Sequence, residues 1–399
     1  MPIGITITEK SISTTASATG RINRLIFLVT SSGADAALLN QLQAVTSATD
    51  LKLKYPAVAE VVEDAIKLVF LNFAQANVLI YACNDTAETN ATAVQTHITR
   101  GAELLTKRTD LELAYVVCPE MGGLADQAER TAVYSAIQSF CEVSDWLFFV
   151  NTANVTTTKT EAIAERQLYT SAKGHSSLFY GLITTNDDKT VPVAPVAAAI
   201  ALKRDQSEAF APPAGARYPI LGVKDLVNYV DNETDYNDLK AQQINVLQKI
   251  PRFGTCIWGA QTLATDTKFQ LINTRAAVSV TSNRLTLALT PILFQASDPQ
   301  GRTNREVDRI IISQMTDLWL EGGLSGDTPE DAFRIVDVIV PETNTGTIDT
   351  TGTETNAPTT TGTTVTRSVR RVRKQVYARF VEHVERIEVG LFIVDTLPT

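Results

Sequence analysis

Short, almost wholly apolar runs alternate with longer segments of helical period along the first half of the chain. The runs have the composition of β-strands and lie at residues 25–29, 78–83, 113–118, 146–150 and 178–182. The segments between them have amphipathic helical spacing and lie at residues 56–73, 91–106, 124–141 and 161–173. Because strands covered on both faces are continuously apolar rather than alternating, this order predicts an α/β domain at residues 21–185 with a mostly parallel, buried sheet.

Proline and alanine mark a change of organisation near residue 191, where the sequence reads VPVAPVAAAIAL. Prolines at this density favour a boundary between structural units. Beyond it the pattern predicts a polar helix at 236–250, a short strand at 256–258, amphipathic helices at 274–294 and 304–320, and a strand at 333–340. We interpret residues 186–385 as a second, α+β domain with a core of its own.

Both ends of the chain alternate between apolar residues and small or polar ones. The apolar positions are Ile3, Ile5 and Ile7 near the start and Val389, Leu391 and Ile393 near the end. This alternation predicts half-buried strands where termini are ordinarily polar. We therefore predict extended terminal arms at residues 1–20 and 386–399, each paired with a neighbouring molecule or with an edge of the same one. A threonine-rich stretch at residues 343–366 predicts an exposed excursion or a pair of threonine-rich strands.

Acidic residues outnumber basic ones, 44 to 35, which gives the 399-residue chain a net charge of −9. A surface of this sign repels a phosphate backbone, so we predict no nucleic-acid partner. No apolar run reaches the ~20 residues that cross a bilayer, and the first residues lack the features of a signal peptide. We therefore predict no membrane insertion and a chain that stays in the cytosol. The basic cluster at residues 367–374 predicts contact with an acidic protein neighbour, with a solvated strand as the alternative.

The residue types that usually build active sites are few and scattered. His97, His175 and His383 lie in different segments and the four cysteines form no CxxC pair. We therefore predict no metal, no cofactor and no catalytic residue, and expect the thiols to be buried and reduced. No nucleotide-binding loop or nucleophile elbow occurs. The most enzyme-like feature is the turn CPEMGG at residues 118–123, where a buried strand leads through glycines towards a helix, and a plain strand-to-helix turn is its alternative.

Five segments of the second domain follow one another in a recognisable order. They are VPVAPVAAA at residues 191–199, APPAG and ILGV within 211–223, IWGAQTL at 257–263, INTR at 272–275 and LWLEGGLSGDTPEDAF at 318–333. Read together they resemble the contractile tail sheath proteins of bacteriophages and related particles such as R-type pyocins. The positions that carry the resemblance most specifically are Trp258, Gly259, Leu263, Asn273, Arg275, Trp319, Gly326 and Phe333.

The resemblance covers residues 191–340, and the amino-terminal domain carries none of its motifs. Gln261 and Ala276 stand where the family has arginines, so the polar contacts of those arginines are not expected in this chain. The family helix that ends in a GIN motif is represented without its glycine, as Gln243, Ile244 and Asn245.

This resemblance implies a structural subunit that forms stacked hexameric rings around a tail tube and contracts to drive the tube through a target cell envelope. It implies an inner α+β domain facing the tube, an outer α/β domain, and terminal arms that exchange strands between subunits. The implied partners are further copies of the chain, the tube protein, and baseplate and tail terminator proteins, in a virion tail assembled in the bacterial host cytoplasm.

Charged residues of opposite sign are candidates for contacts between subunits. They are Arg370, Arg371 and Arg373 on one side and Asp327, Glu330 and Asp331 on the other, with solvated surface charge as the alternative. Two other functional classes remain open at this point. One is a soluble α/β enzyme with a site at the 118–123 turn, and the other is a non-contractile tube or capsid protein.

Overall fold

The computed structural model of the chain describes residues 23–31, 38–83, 93–105, 111–208, 210–292, 302–337 and 374–380. The two predicted arms, the threonine-rich stretch at 343–366 and the arginines of the 367–374 cluster lie outside the described residues. The predictions about them are therefore neither confirmed nor contradicted by the fold.

Thirteen strands and ten α-helices make up the described part of the chain. The strands are β1 Asn23–Thr30, β2 Leu42–Val45, β3 Val78–Cys83, β4 Leu113–Val117, β5 Leu147–Asn151, β6 Ser176–Tyr180, β7 Leu182–Thr185, β8 Thr190–Pro192, β9 Val223–Val227, β10 Ile244–Ile250, β11 Gly254–Trp258, β12 Phe333–Asp337 and β13 Lys374–Ala378. The helices are α1 Ala48–Lys54, α2 Glu60–Asn72, α3 Ala93–Leu104, α4 Gln127–Ser144, α5 Lys159–Arg166, α6 Ala194–Ser207, α7 Glu233–Ala241, α8 Ile272–Leu289, α9 Arg302–Leu320 and α10 Pro329–Ala332. Among these helices, none is both long enough and apolar enough to span a membrane.

The centre of the molecule is an eight-stranded sheet with the order β11-β10-β6-β5-β4-β1-β3-β2. The six inner strands run parallel to one another, and β2 and β11 pair antiparallel at the two edges. Side chains of β1 alternate between two apolar clusters, with Phe27 in the cluster that contains α2 and α6 and Leu28 in the cluster that contains α3 and α4. The predicted α/β layer with a parallel sheet buried on both faces is confirmed.

The predicted polar helix at residues 236–250 is wrong in its second half. Helix α7 ends at Ala241, and Gln243 adopts a left-handed backbone conformation with φ 60°. The chain then enters β10, whose Ile244 is opposite Leu178 in the parallel pairing with β6. Four consecutive buried residues at 244–247 have the apolar continuity of an inner strand, which outweighs the helical pattern of the polar residues before them.

The expectation of a separate core for residues beyond 185 is also wrong. Strands β10 and β11 extend the sheet that begins at β1, and α6 lies against that sheet within the same apolar cluster as α2. A predicted strand at 178–182 divides at Gly181, whose φ of 128° turns the chain from β6 into β7. Strands β7, β8 and β9 then form a three-stranded antiparallel sheet that the sequence patterns did not indicate.

All four cysteines are buried as free thiols, as predicted. Burial raises the pKa of the Cys118 thiol well above its ordinary value, because the charged thiolate loses its hydration inside the protein. Such thiols are poor nucleophiles, so their position agrees with a packing role.

Candidate subunit interface

Asn245, at the start of β10, holds the segment that contains the IWGAQTL motif. Its side chain is fully buried, and its amide nitrogen donates to the carbonyl oxygens of Leu178 at 3.1 Å and Gln261 at 2.8 Å. Its amide oxygen accepts from the backbone N–H of Gln261 at 2.7 Å. One side chain therefore satisfies three backbone groups, one buried and two partly buried, which fixes the path of the chain after Trp258.

Gly259 is needed for the close approach of that segment to Asn245. It has φ 117°, and a Cβ at this position would lie 2.9 Å from the Asn245 amide oxygen. Leu263 is fully buried and its backbone N–H donates to the Ser176 carbonyl at 2.8 Å. The motif residues Trp258, Gly259 and Leu263 thus form a connection from β11 across the end of the sheet to α8.

Arg275, in α8, is nearly fully buried and reaches the end of α4. Its guanidinium donates to the Asp145 carboxylate at 3.2 Å and to the Ser279 hydroxyl at 3.1 Å, and it lies over the Phe269 ring at 5.2 Å. Burial lowers the pKa of Arg275, and the charge of Asp145 partly opposes that shift. The ion pair between Arg275 and Asp145 was not predicted from the sequence.

A second polar contact holds α8 to the sheet nine residues further along. Arg284 donates to the carboxylates of Glu112 at 3.1 Å and Glu321 at 3.0 Å, so it joins α8 to β4 and to the end of α9. The neighbouring Asn283 amide donates to the Glu112 carbonyl at 2.8 Å. Glu112 precedes β4 and Asp145 precedes β5. Helix α8 is therefore fixed across the amino-terminal ends of these two parallel strands.

The long motif at residues 318–333 forms a compact turn between α9 and β12. The indole N–H of Trp319 donates to the Gly326 carbonyl at 2.9 Å. A Cβ on Gly326 would lie 2.8 Å from the backbone nitrogen of Ala332, so the two backbones meet there without space for a side chain. Phe333 opens β12 and is opposite Ala378 of β13.

Strands β12 and β13 form a two-stranded antiparallel ribbon beside α9. Lys374, only 6% exposed, pairs with Asp308 of α9 at 2.7 Å and fixes the start of β13. Their apolar residues, which include Ile335 and Val376, lie against the core. In the described part of the chain no third strand joins this ribbon, which makes its outer edges candidates for pairing with a further strand.

Edges of the other sheets are covered or shortened. The segment at 215–220 runs along the outer edge of β11, where the Ile220 N–H donates to the Thr255 carbonyl at 2.8 Å. At the opposite edge, Lys54 donates to the Ala44 carbonyl of β2 at 2.7 Å. Strand β8 has only three residues, and β9 presents the exposed charges of Lys224 and Asp225. The β12–β13 ribbon is therefore the described sheet best suited to accept a further strand.

The predicted acidic residues Asp327, Glu330 and Asp331 are all exposed beside this ribbon. Asp331 has a local role, because its carboxylate accepts from the Thr328 hydroxyl at 3.0 Å at the start of α10. Their predicted partners Arg370, Arg371 and Arg373 lie outside the described residues, as do the arm residues at both ends. The described residues therefore do not test whether these charges pair.

The enzyme-like turn at 118–123 is filled by the chain's own groups. Both carboxylate oxygens of Glu120 accept from Thr30, one from its backbone N–H and one from its hydroxyl, each at 2.6 Å. Burial raises the pKa of Glu120, although both bonds from Thr30 favour the charged form. A Cβ on Gly122 would lie 2.7 Å from the Asn154 side-chain oxygen. These contacts favour the plain strand-to-helix turn.

Histidines and carboxylates do not converge on a metal site within the described ranges, where no group of three or more possible ligands was found. His175 is buried and its Nδ1 lies 3.0 Å from the Trp146 carbonyl oxygen. Burial lowers the pKa of His175, and the nearby charge of Arg275 lowers it further. The ring therefore has a packing role beside Asp145.

No family model and no curated protein matches the sequence. The fold, in contrast, matches solved structures along almost its whole length. A chain of the anti-feeding prophage baseplate aligns with a TM-score of 0.69 at 19% identity, covering 99% of both chains. The contracted helical sheath of the same prophage aligns with a TM-score of 0.69 at 16% identity, covering 98% of this chain and 99% of that one.

Two further matches come from other systems. The contracted sheath complex of the extracellular contractile injection system PVC aligns with a TM-score of 0.67 at 15% identity, covering 98% of this chain and 97% of that one. A sheath tail protein from Desulfitobacterium hafniense aligns with a TM-score of 0.52 at 9% identity, covering 84% of this chain and 93% of that one. The likeness includes the amino-terminal α/β part, where no sequence motif was found. The chain therefore has the fold of contractile sheath proteins.

Proposed function

We propose that the chain is a structural subunit of a contractile tail sheath, which assembles as stacked hexameric rings around a tail tube. The observation that carries this proposal is the fold match to a contracted helical sheath over 98% of the chain. The ordered motifs at residues 191–340 support it independently, because they are a property of the sequence and not of the fold.

Strand exchange is the proposed means of assembly. Within the described residues the β12–β13 ribbon has no third strand, and the apolar alternation at Ile3–Ile7 and at Val389–Ile393 supplies segments able to add to its edges. Backbone hydrogen bonds formed in this way tolerate changes in side-chain packing, so the links survive when the lattice shortens.

The α+β part at 186–385 is proposed to face the tube, and the α/β part at 21–185 to lie on the outside. The restriction of the sheath-like motifs to 191–340 supports this arrangement, because a surface that contacts both the tube and neighbouring subunits is the more constrained one. Baseplate and terminator proteins are the proposed partners at the two ends of the sheath, in a virion tail built in the host cytoplasm. The role is structural rather than enzymatic, in agreement with the filled turn at Glu120.

Electron microscopy of the recombinant chain tests both assembly and the role of the arms. We expect the full chain to form tubes of stacked rings, and a chain lacking residues 1–11 to remain folded and soluble without forming tubes. A sharper variant replaces Ile3, Ile5 and Ile7 together by threonine, and its matched control replaces Thr6 and Thr8 on the opposite face by serine.

Normal tubes from the threonine-substituted arm would contradict strand exchange, whereas tube loss in the serine control would show only that the arm tolerates no change. A sheath also predicts long and short forms of the same particle. If the axial length per ring is the same in all tubes, a static tube protein is favoured instead.

A further inference from the structure

The first described residue, Asn23, is tied by its side chain into a buried ionic network. Its amide nitrogen donates to the Asp205 carboxylate at 2.7 Å, and the Tyr115 hydroxyl donates to the same oxygen at 2.9 Å. Arg204 pairs with the other Asp205 oxygen at 3.0 Å and donates to the Ala211 carbonyl at 2.7 Å. These contacts join β1, β4, α6 and the loop after α6 at one point.

This network is fully enclosed, which makes each of its bonds strong and each unpaired member costly. Arg204 and Tyr115 are 0% exposed, Asn23 is 4% exposed and Asp205 is 5% exposed. Burial opposes the charge of Arg204, but Asp205 and Tyr115 more than offset it and raise the arginine pKa. The charged pair of Arg204 and Asp205 therefore lies in the core beside Asn23, where the amino-terminal segment joins the sheet.

Strand β1 is also paired along both edges, so a load that arrives from its amino-terminal end acts on two ladders. It pairs with β3 along one edge, from Leu25 opposite Val78 to Thr30 opposite Cys83. Along its other edge it pairs with β4 over Asn23–Phe27. A pull along its axis strains both ladders together in shear, so many hydrogen bonds must fail at once.

The carboxyl-terminal exit differs, because β12 is the one strand that pairs with β13 among the described residues. Beyond Ala378 the described chain is held by the bridge between Leu324 and Phe380. Within the described fold, a load applied beyond residue 380 therefore acts on this one ladder and the bridge. The two ends of the described fold are built to resist tension to different degrees.

We propose that β1 and the Asn23–Asp205 hydrogen bond form a mechanical anchor through which tension on the amino-terminal segment enters the core. This inference rests on the proposed sheath function, in which that segment links one subunit to the next. The anchor keeps a subunit folded when its neighbours move, and the carboxyl-terminal ribbon is the end that yields first.

Single-molecule pulling tests the anchor, because forced unfolding reports the unfolding rate of the loaded path. One handle is attached at Val155→Cys, an exposed site (73%) just after β5, and the native cysteines are buried. The other handle is attached at residue 1 or at residue 399. For the natural sequence we expect the first unfolding event to require a higher force from residue 1 than from residue 399.

Asn23→Ala removes only the bond that ties β1 to Asp205, and its matched control is Tyr134→Phe. Tyr134 is equally buried (3%) and hydrogen-bonded to Ser176 at 2.7 Å, but it lies on α4, away from β1. We expect Asn23→Ala to speed rupture from residue 1 at constant force by about tenfold, since it removes a hydrogen bond to a charged group. From residue 399 we expect no more than about a twofold change.

Equal effects of Asn23→Ala and Tyr134→Phe in both pulling directions would overturn the anchor, as would a lower rupture force from residue 1 than from residue 399. The comparison of directions in the natural sequence needs no variant, so misfolding of Asn23→Ala does not leave the question open. Tube formation by Asn23→Ala is scored separately by microscopy. Tubes with an unchanged rupture rate refute the anchor alone, whereas absence of tubes from the natural sequence refutes the sheath function.

Discussion

At the scale of single residues, side chains that hydrogen-bond to the backbone hold the motif segments in place. Asn245 satisfies three backbone groups, and Gly259 leaves the space that this arrangement requires. Gln261 replaces the arginine of the sheath motif and contributes its backbone N–H and carbonyl to the same contact. This contact does not depend on the side chain at residue 261, because main-chain groups make it.

Asn245→Ala is expected to lower the free energy of unfolding by about 3 kcal/mol, since it leaves buried backbone groups of Leu178 and Gln261 without partners. Urea denaturation followed by tryptophan fluorescence measures the change, and Trp258 lies beside the substituted site. The control is Asn237→Ala, an exposed position on α7, for which we expect a change within about 0.5 kcal/mol. Similar losses for the two variants would show that the Asn245 contacts contribute no specific stability.

At the scale of elements, α8 joins the parts of the chain that the sequence suggested were separate domains. It is attached to the amino-terminal edge of the sheet through Arg275 with Asp145 and through Arg284 with Glu112, and Arg284 also holds the end of α9 through Glu321. The charge of the two carboxylates raises the pKa of Arg284 despite its burial. A helix that is fixed at two points to the ends of neighbouring strands moves together with their sheet.

Arg284→Ala is expected to lower the free energy of unfolding by about 2 kcal/mol, because it leaves two partly buried carboxylates without their shared cation. Hydrogen exchange should accelerate in α8 and α9 and remain unchanged in the β7–β8–β9 sheet. Arg309→Ala is the matched control, since Arg309 is 78% exposed and its contact with Glu306 is 3.7 Å long. Uniform acceleration across the whole chain would argue that α8 is not a separate attachment point.

The type of an element was predictable from the sequence where the apolar pattern was continuous. The prediction was wrong where the pattern changed within one segment. The strands β1, β3, β4 and β5 and helices α2, α4 and α9 appear where the sequence indicated them. Residues 236–250 were misread because a short polar helix precedes β10 with only two residues between them. Contacts such as Arg275 with Asp145 join residues 130 positions apart, so no local spacing reveals them.

At the scale of the whole molecule, one continuous sheet with an apolar cluster on each face implies that a subunit moves largely as a unit. The sheet crosses residue 185, and the apolar cluster that contains α2 also contains α6, α8 and α9. Changes of shape in an assembly of such subunits are then left to the contacts between copies. No phosphate-binding motif occurs in the sequence, so we propose that the extended lattice is kinetically trapped and contracts without nucleotide.

Small differences between extended and contracted contacts suffice to drive such a lattice. A gain of ~1 kcal/mol per subunit, comparable to one hydrogen bond or surface ion pair, amounts to ~100 kcal/mol over about a hundred copies. Arg370, Arg371 and Arg373 are candidates for such contacts, with the exposed Asp327, Glu330 and Asp331 as partners. Replacing the three arginines together by glutamine should reduce the fraction of contracted particles after mild urea or acid, scored by electron microscopy.

A matched control replaces Arg305 and Arg309, exposed on α9, by glutamine, which removes positive charge without touching the proposed contact. If the triple variant alone contracts less, the 367–374 cluster stabilises the shortened lattice. If both variants respond alike, net charge rather than a specific pair governs the transition. Assembly and contraction identical to the natural chain in the triple variant would remove these arginines from the mechanism, and a requirement for ATP would refute the trapped-lattice proposal itself.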